Sequence, residues 1–300
     1  MMRTTPLAKP SNPFVLAALW MSGAILSFST MAIAGREVSY QLDTFEIMMY
    51  RSFVGIVIVL GLATLTGTWR EIQRRDLRTH AIRNFAHFAG QNLWFHAITL
   101  IPLAQVFALE FTSPIWVVLL SPLILGERLT PVRLLSALIG FCGILIVARP
   151  STDSFDIGIL MAAGSAICFA MTTMLTKKLT RTETVTCILF YLTVMQAVFG
   201  IVCAGIDGDI ALPDAANVPL IVLIGCAGLL AHFCIAKALS LAPATVVTPI
   251  DFTRLPVIAV LGMLLYQEPL DLFVLLGAAV IFGGNYLNIW TESRALRKPA

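Results

Sequence analysis

Ten apolar stretches of roughly 17–23 residues follow one another along this 300-residue chain. They lie near 14–34, 45–65, 81–100, 104–125, 132–148, 157–176, 186–206, 218–239, 244–266 and 271–290. Each is about long enough to carry a helix across a hydrocarbon core of about 30 Å at about 1.5 Å per residue. Lipid offers no partner to an open backbone amide or carbonyl, so such stretches are helical. Short loops carrying Gly, Pro or charge separate them and leave no room for a soluble domain. Composition agrees: 58% of the residues are hydrophobic and 12% charged, with a mean hydropathy of +0.88, against roughly 25% charged residues in a soluble domain. A net charge of +3, with no basic stripe interleaved with aromatics, gives no reason to expect a nucleic-acid partner.

Two features at the edges of this pattern need care. Arg3 and Lys9 precede an apolar run ending Ala32-Ile33-Ala34, which imitates a secretory signal and its cleavage site. The run is longer than a signal's apolar region, so it is read as the first span. The six cysteines all sit inside apolar runs without Cys-x-x-Cys or zinc-ligand spacing, and no metal site or cofactor is expected from them.

Basic residues collect on alternate connections: Arg70, Arg74, Arg75, Arg78 and Arg83, then Arg128 and Arg133, then Lys177, Lys178 and Arg181, then Arg294, Arg297 and Lys298. The opposite connections hold Arg36 and Arg149 among acids that include Asp153, Asp156, Asp207, Asp209, Asp214, Glu268 and Asp271. The positive-inside rule then predicts an inner-membrane protein with both termini in the cytoplasm.

The chain also repeats itself at a constant offset of 141 residues. Ala97-Ile98-Thr99-Leu100-Ile101-Pro102 falls on Ala238-Leu239-Ser240-Leu241-Ala242-Pro243, and Glu110-Phe111-Thr112 on Asp251-Phe252-Thr253. Phe28 falls on Phe169, His96 on Lys237 and Glu127 on Glu268. Over residues 95–143, fifteen of forty-nine positions are identical, where a composition this biased gives roughly a tenth by chance. The predicted units are 1–148, holding spans one to five, and 149–300, holding spans six to ten. Five is odd, so the second unit enters the membrane from the other side. The expected fold is an all-α polytopic membrane protein whose ten transmembrane helices form two inverted five-helix repeats. Such inversion is the structural basis of alternating access and points to a carrier.

Several stretches carry a family resemblance: Tyr50-Arg51 in span two, Ile101-Pro102-Leu103-Ala104 opening span four, Gly126-Glu127-Arg128-Leu129-Thr130 after it, and the glycine-bearing spans that close each half (Gly140, Gly143; Gly277, Gly283, Gly284). On these the chain resembles the drug/metabolite transporter superfamily, specifically its ten-helix EamA-type proteins. The resemblance implies a bacterial inner-membrane carrier of amino acids, vitamins, nucleotide-like metabolites or metallophores. It also implies a central cavity walled by spans one, three, four, six, eight and nine. The second half departs from the pattern, with Leu192 where the first has Arg51, and Gln267-Glu268-Pro269 for Gly-Glu-Arg.

Ionisable groups inside a membrane are costly unless paired or wet, which singles out a short set. His87, Gln91 and Trp94 share one face of span three, with Asn92 and His96 beside it; they either line a cavity or bond between helices. Glu110 has no basic residue one turn away, and His96, across the short connection, is its expected partner; a lone acid there suits proton coupling or a substrate amine. Asp251, its repeat mate, either pairs with Arg254 at i+3 or belongs to the site, where Lys237 and Arg254 can anchor an anion. His232 reads as an isolated bundle histidine. Pro114, Pro122, Pro249 and Pro256 interrupt spans four and nine beside the two acids, and Pro114, Pro249 and Pro256 are candidate gate positions. Glu127 and Glu268 read as anchors of span ends.

No catalytic motif or nucleotide-binding loop is present in the sequence. The expected function is secondary transport of a small polar metabolite, coupled to protons through Glu110 and Asp251, with export placed ahead of uptake. The alternative is uptake of a riboflavin-like or S-adenosylmethionine-like substrate. A remote alternative is an intramembrane enzyme using His87, His96 and Glu110 on a lipid-linked substrate.

Overall fold

The computed structural model describes residues 13–126, 130–149, 156–206, 208–241 and 250–297, and every regular element among them is helical. In chain order these are α1 (Pro13–Val38), α2 (Thr44–Thr66), a 3-10 turn (Thr68–Glu71), α3 (Leu77–Leu100), α4 (Leu103–Glu110), α5 (Ser113–Leu125), α6 (Pro131–Ala148), α7 (Ile157–Leu179), α8 (Val185–Ala204), α9 (Asn217–Leu241), α10 (Arg254–Tyr266) and α11 (Leu272–Arg297). Among the described residues, eight spans are long and apolar enough to cross a membrane, α4 and α5 counting together as one. α3 has the length but is too polar to count on composition, because His80, Arg83, Asn84, His87, Gln91 and Asn92 are buried along it. α10 has 13 residues and completes span nine, whose earlier part lies mostly outside the described residues. α1, α9 and α11 run past the apolar stretches that announce them, since intrahelical bonding does not stop where lipid does.

The helix ends are fixed by side chains. Asp43 and Glu46 form a reciprocal capping box at the start of α2, each accepting the other's backbone amide at 2.8 Å. Asp76, Thr130, Asp156 and Thr184 cap α3, α6, α7 and α8.

Packing follows the repeat. The offset pairs α1 with α7, α2 with α8, α3 with α9 and α6 with α11. The four most extensive contacts are α1 on α9, α3 on α7, α2 on α8 and α6 on α11. The first two are exchanged by a two-fold axis and the last two map onto themselves, so the halves dock as inverted copies. Details obey the same rule. A Cβ added at Gly23 would meet Cys234 at 3.0 Å, and one at the equivalent Gly164 would meet Leu93 at 3.3 Å. Spans five and ten touch backbone to backbone, with Gly143 against the Gly277 carbonyl and Gly284 against the Ser136 carbonyl. In lipid, where hydrophobic exclusion does not drive association, close approach of small residues is what holds helices together.

The surface is inverted relative to a soluble protein. Leu19, Leu26, Val57, Leu62, Leu138, Leu145 and Leu264 face outward, while Ser27, Ser29, Asn84, His87, Gln91, Thr112 and Gln196 are buried. The polar groups therefore converge on the bundle axis.

Candidate functional site

Both mid-membrane helix breaks fall on equivalent residues. α4 ends at Glu110 and α5 begins at Ser113. In the other half Phe252 and Thr253 form the turn before α10. Thr112 folds its hydroxyl and amide back onto the Leu109 carbonyl at 2.6 and 3.0 Å, and Thr253 does the same to Ile250 at 2.7 and 3.0 Å. The mates Phe111 and Phe252 stack on each other at 4.6 Å, which puts the axis between their rings. Pro114 opens α5 and Pro256 lies in the first turn of α10, where a missing amide costs no helical bond. Pro249 and Glu127 lie outside the described residues.

One asymmetry gives this crossing its chemistry. The position equivalent to Ser113 is Arg254. Its Nη2 donates to Glu110 Oε1 at 3.2 Å and lies 3.5 Å from Asp251 Oδ2, while Trp94 Nε1 donates to Glu110 Oε2 at 2.9 Å. The Arg254 residue is 3% exposed, and its guanidinium carbon sits 4.6, 5.0 and 4.9 Å from the ring centres of Phe28, Phe107 and Phe111. Aromatic faces stabilise a cation that has left water. Two carboxylates share this guanidinium, so with both ionised the trio carries one negative charge in excess.

Phe28 joins this trio to a second cluster. His232 lies 5.7 Å from Phe28 and 6.5 Å from His87, and His87 lies 6.1 Å from Phe169. Both ring nitrogens of His87 are buried without a hydrogen-bond partner among the described residues. His232 packs against these rings from α9. Beside them Arg51 Nη1 donates to Gln91 Oε1 at 2.8 Å. Side chains from spans one, three, four, six, eight and nine, and Arg51 of span two, thus meet around one polar, aromatic-walled region.

Two expected contacts are different. Glu110 is partnered by Arg254 and Trp94, and His96 is exposed. The reason is rotational: Trp94 faces inward, and two residues on is about 200° around a helix. His232 has His87 and Phe28 as neighbours instead of standing alone. Lys237 is exposed, its ammonium 5.6 Å from the Phe233 ring centre. Asn92 bonds the Phe88 carbonyl of its own helix at 2.8 Å. The aromatic cage of Phe28, Phe107 and Phe111 was not singled out by charge. Its signal was the match of aromatic to aromatic at the 141-residue offset, Phe28 with Phe169 and Phe111 with Phe252.

At the end of the bundle where the acidic connections lie, Arg36 ties four spans together. It pairs with Glu268 and donates to the Ile98 and Ile101 carbonyls at 2.5 and 3.0 Å, while Glu268 accepts the Leu103 amide at 2.9 Å. Tyr266 lies over the Arg36 guanidinium and donates to Glu37 at 2.9 Å. Glu46 accepts the Ala211 amide and Tyr50 donates to the Ala211 carbonyl nearby. These contacts form a polar latch at this face.

The EamA-like transporter family model matches the chain twice, at residues 15–149 and 156–290. The starts of the two matches are 141 residues apart, as are the ends. A riboflavin transporter of Brucella anthropi is 31% identical over 255 residues, covering 84% of this chain and 89% of that protein. An S-adenosylmethionine uptake transporter of Rickettsia bellii is 25% identical over 284 residues, covering 93% and 95%. A riboflavin transporter of Vibrio cholerae is 28% identical over 286 residues, covering 94% and 95%. A crystal structure with a TM-score of 0.64 and 19% identity covers 94% of this chain and 99% of its own, a likeness of fold. With the family pattern matched in both inverted halves, the chain belongs to the EamA-like transporter family of the drug/metabolite transporter superfamily.

Proposed function

We propose that this membrane transporter takes up a metabolite built on a planar heteroaromatic ring with a hydroxylated side chain, crossing the inner membrane by alternating access with both termini in the cytoplasm. The observation that carries this reading is the guanidinium of Arg254, held between two repeat-related acids and surrounded by aromatic rings where spans one, three, four and nine meet. Aromatic walls suit a flat ring, and the polar groups of Gln91, Arg51 and His87 suit its heteroatoms and hydroxyls. A flavin fits this description first, in keeping with the riboflavin transporters among the relatives. A second reading, S-adenosylmethionine, is favoured by the excess negative charge of Glu110 and Asp251, which would meet a sulfonium cation.

Purified protein in liposomes should move labelled riboflavin down its gradient without ATP, and excess S-adenosylmethionine tests the second reading by competition. If neither compound moves or competes, the substrate class is wrong. Glu110→Gln should abolish the pH dependence of transport, and an unchanged pH profile removes the acid from any proton-coupling role.

The latch at the acidic face supports the reading that this is the state closed to the outside. Glu268→Gln keeps a carbonyl for the Leu103 amide but loses the charge opposite Arg36. A cysteine at Phe28 (F28C, with the six native cysteines replaced) should then react with a membrane-impermeant maleimide from the acidic side at least about tenfold faster, since a hydrogen bond to a charged group is worth about 1.5–3 kcal/mol. An unchanged labelling rate denies the ion pair any gating role.

A further inference from the structure

The opposite, basic face holds a buried cluster that the transport reading does not use. His80 lies in the first turns of α3, Glu183 in the turn between α7 and α8, and Cys187 in the first turn of α8. They are 1%, 8% and 0% exposed. One donor atom from each lies within 4.8 Å of the other two. Both His80 ring nitrogens and Glu183 Oε1 have no hydrogen-bond partner among the described residues. Cys187 Sγ donates to the Gln73 carbonyl at 3.5 Å, and Tyr191, one turn further along α8, packs on the His80 ring at 4.6 Å.

An imidazole and a carboxylate buried side by side usually bond each other, because a buried polar group without a partner costs about 1–3 kcal/mol. Here they flank a common gap together with a thiol. Tetrahedral zinc, with bonds of about 2.0–2.3 Å, holds its ligand atoms about 3.3–3.8 Å apart, so a contraction of about 1 Å, within reach of side-chain rotation, brings the three into range. One nitrogen, one sulfur and one carboxylate oxygen suit zinc or cobalt far better than magnesium or calcium. A thiolate and a carboxylate supply two negative charges against a divalent ion. Arg83, one turn along α3, is turned away to Thr176 at 3.0 Å and Asn84 at 2.7 Å. The cluster is not a by-product of the repeat, since the equivalent positions are Ile221, Leu42 and Glu46. The ligands come from both halves of the sequence, which is why no spacing announces them.

We propose that His80, Glu183 and Cys187 form a site for one zinc-class divalent ion, with a water completing the shell, which fastens the start of α3 to the start of α8. The probe is Co²⁺ added to the full chain in detergent after chelator treatment. The expected result is one equivalent of bound cobalt with a thiolate-to-cobalt charge-transfer band. Cys187→Ser should remove the band. His80→Ala and Glu183→Gln should each weaken binding more than about tenfold, the lower end of what losing even an outer-shell partner costs. A C142S/C226S double variant at two exposed cysteines should keep both band and affinity. Wild-type protein without a thiolate band, or binding unchanged in C187S, overturns the site, and both outcomes can be read whether or not riboflavin is transported.

Discussion

Arg254→Leu should lower transport at least about a hundredfold and destabilise the bundle by about 3–5 kcal/mol, the cost of removing one partner from a buried charge pair. The transport figure follows from losing the bond to Glu110 and the ion pair to Asp251 at the point where the two halves cross; about 3 kcal/mol corresponds to about two decades. Arg254→Lys tests geometry against charge. A lysine keeps the cation but presents a point charge where the guanidinium spreads its donors across both acids and lies flat against aromatic rings. It should recover stability more than transport. The apolar triple variant E110M/D251L/R254M should restore thermal stability, because a buried ionic set replaced by hydrophobic residues of similar volume is often no less stable, yet it should stay inactive. Recovery of transport in the triple variant would reduce the charges to scaffolding. Thermal unfolding in detergent and tracer uptake in liposomes read the two quantities separately.

The equivalence behind this prediction was open to inspection in the sequence. Lipid leaves a chain this apolar with helices as its solution, and a charged residue falling on a charged residue at one fixed offset identified Glu110 with Asp251. The apolar stretch at 81–100 announced α3 as a span despite its polar residues, and the offset makes it the mate of α9. What stayed hidden was which groups meet. Arg254 reaches Glu110 across 144 positions because two inverted halves dock on an axis between Phe111 and Phe252, and no local pattern encodes that docking. The preference for His96 as the partner of Glu110 treated nearness along the chain as nearness in space. The rotation of about 100° per residue already set Trp94 and His96 on nearly opposite sides of α3. The latch of Arg36 and Glu268 was hidden for the same reason as the trio, since its partners lie on spans one and nine and their pairing depends on how the halves close.

Gly284→Ala and Gly283→Ala, at neighbouring positions of α11, should differ in opposite directions. A Cβ at Gly284 would lie 2.8 Å from the Ser136 carbonyl oxygen and 3.3 Å from the Gly140 amide nitrogen, whereas a Cβ at Gly283 meets nothing within 4 Å. The atoms in the way are backbone, so relief requires spans five and ten to part. Overpacking of that kind costs about 1–3 kcal/mol, and a valine at the same position should cost more. At Gly283 alanine should be neutral or stabilise by about 0.5–1 kcal/mol, the helix-interior penalty of glycine. The repeat supplies the internal check. Gly143 is the equivalent of Gly284, and its added Cβ would lie 2.8 Å from the Gly277 carbonyl and 3.0 Å from the Ile281 amide nitrogen, the same backbone contact seen from the other side of the axis, with the movable Ile281 side chain at 2.6 Å besides. Gly143→Ala should therefore lower the unfolding temperature by an amount similar to Gly284→Ala. The double variant should cost less than the sum, because helices already forced apart by one methyl accommodate the second. Strictly additive losses would mean that the two contacts yield independently and that spans five and ten do not move as one rigid pair.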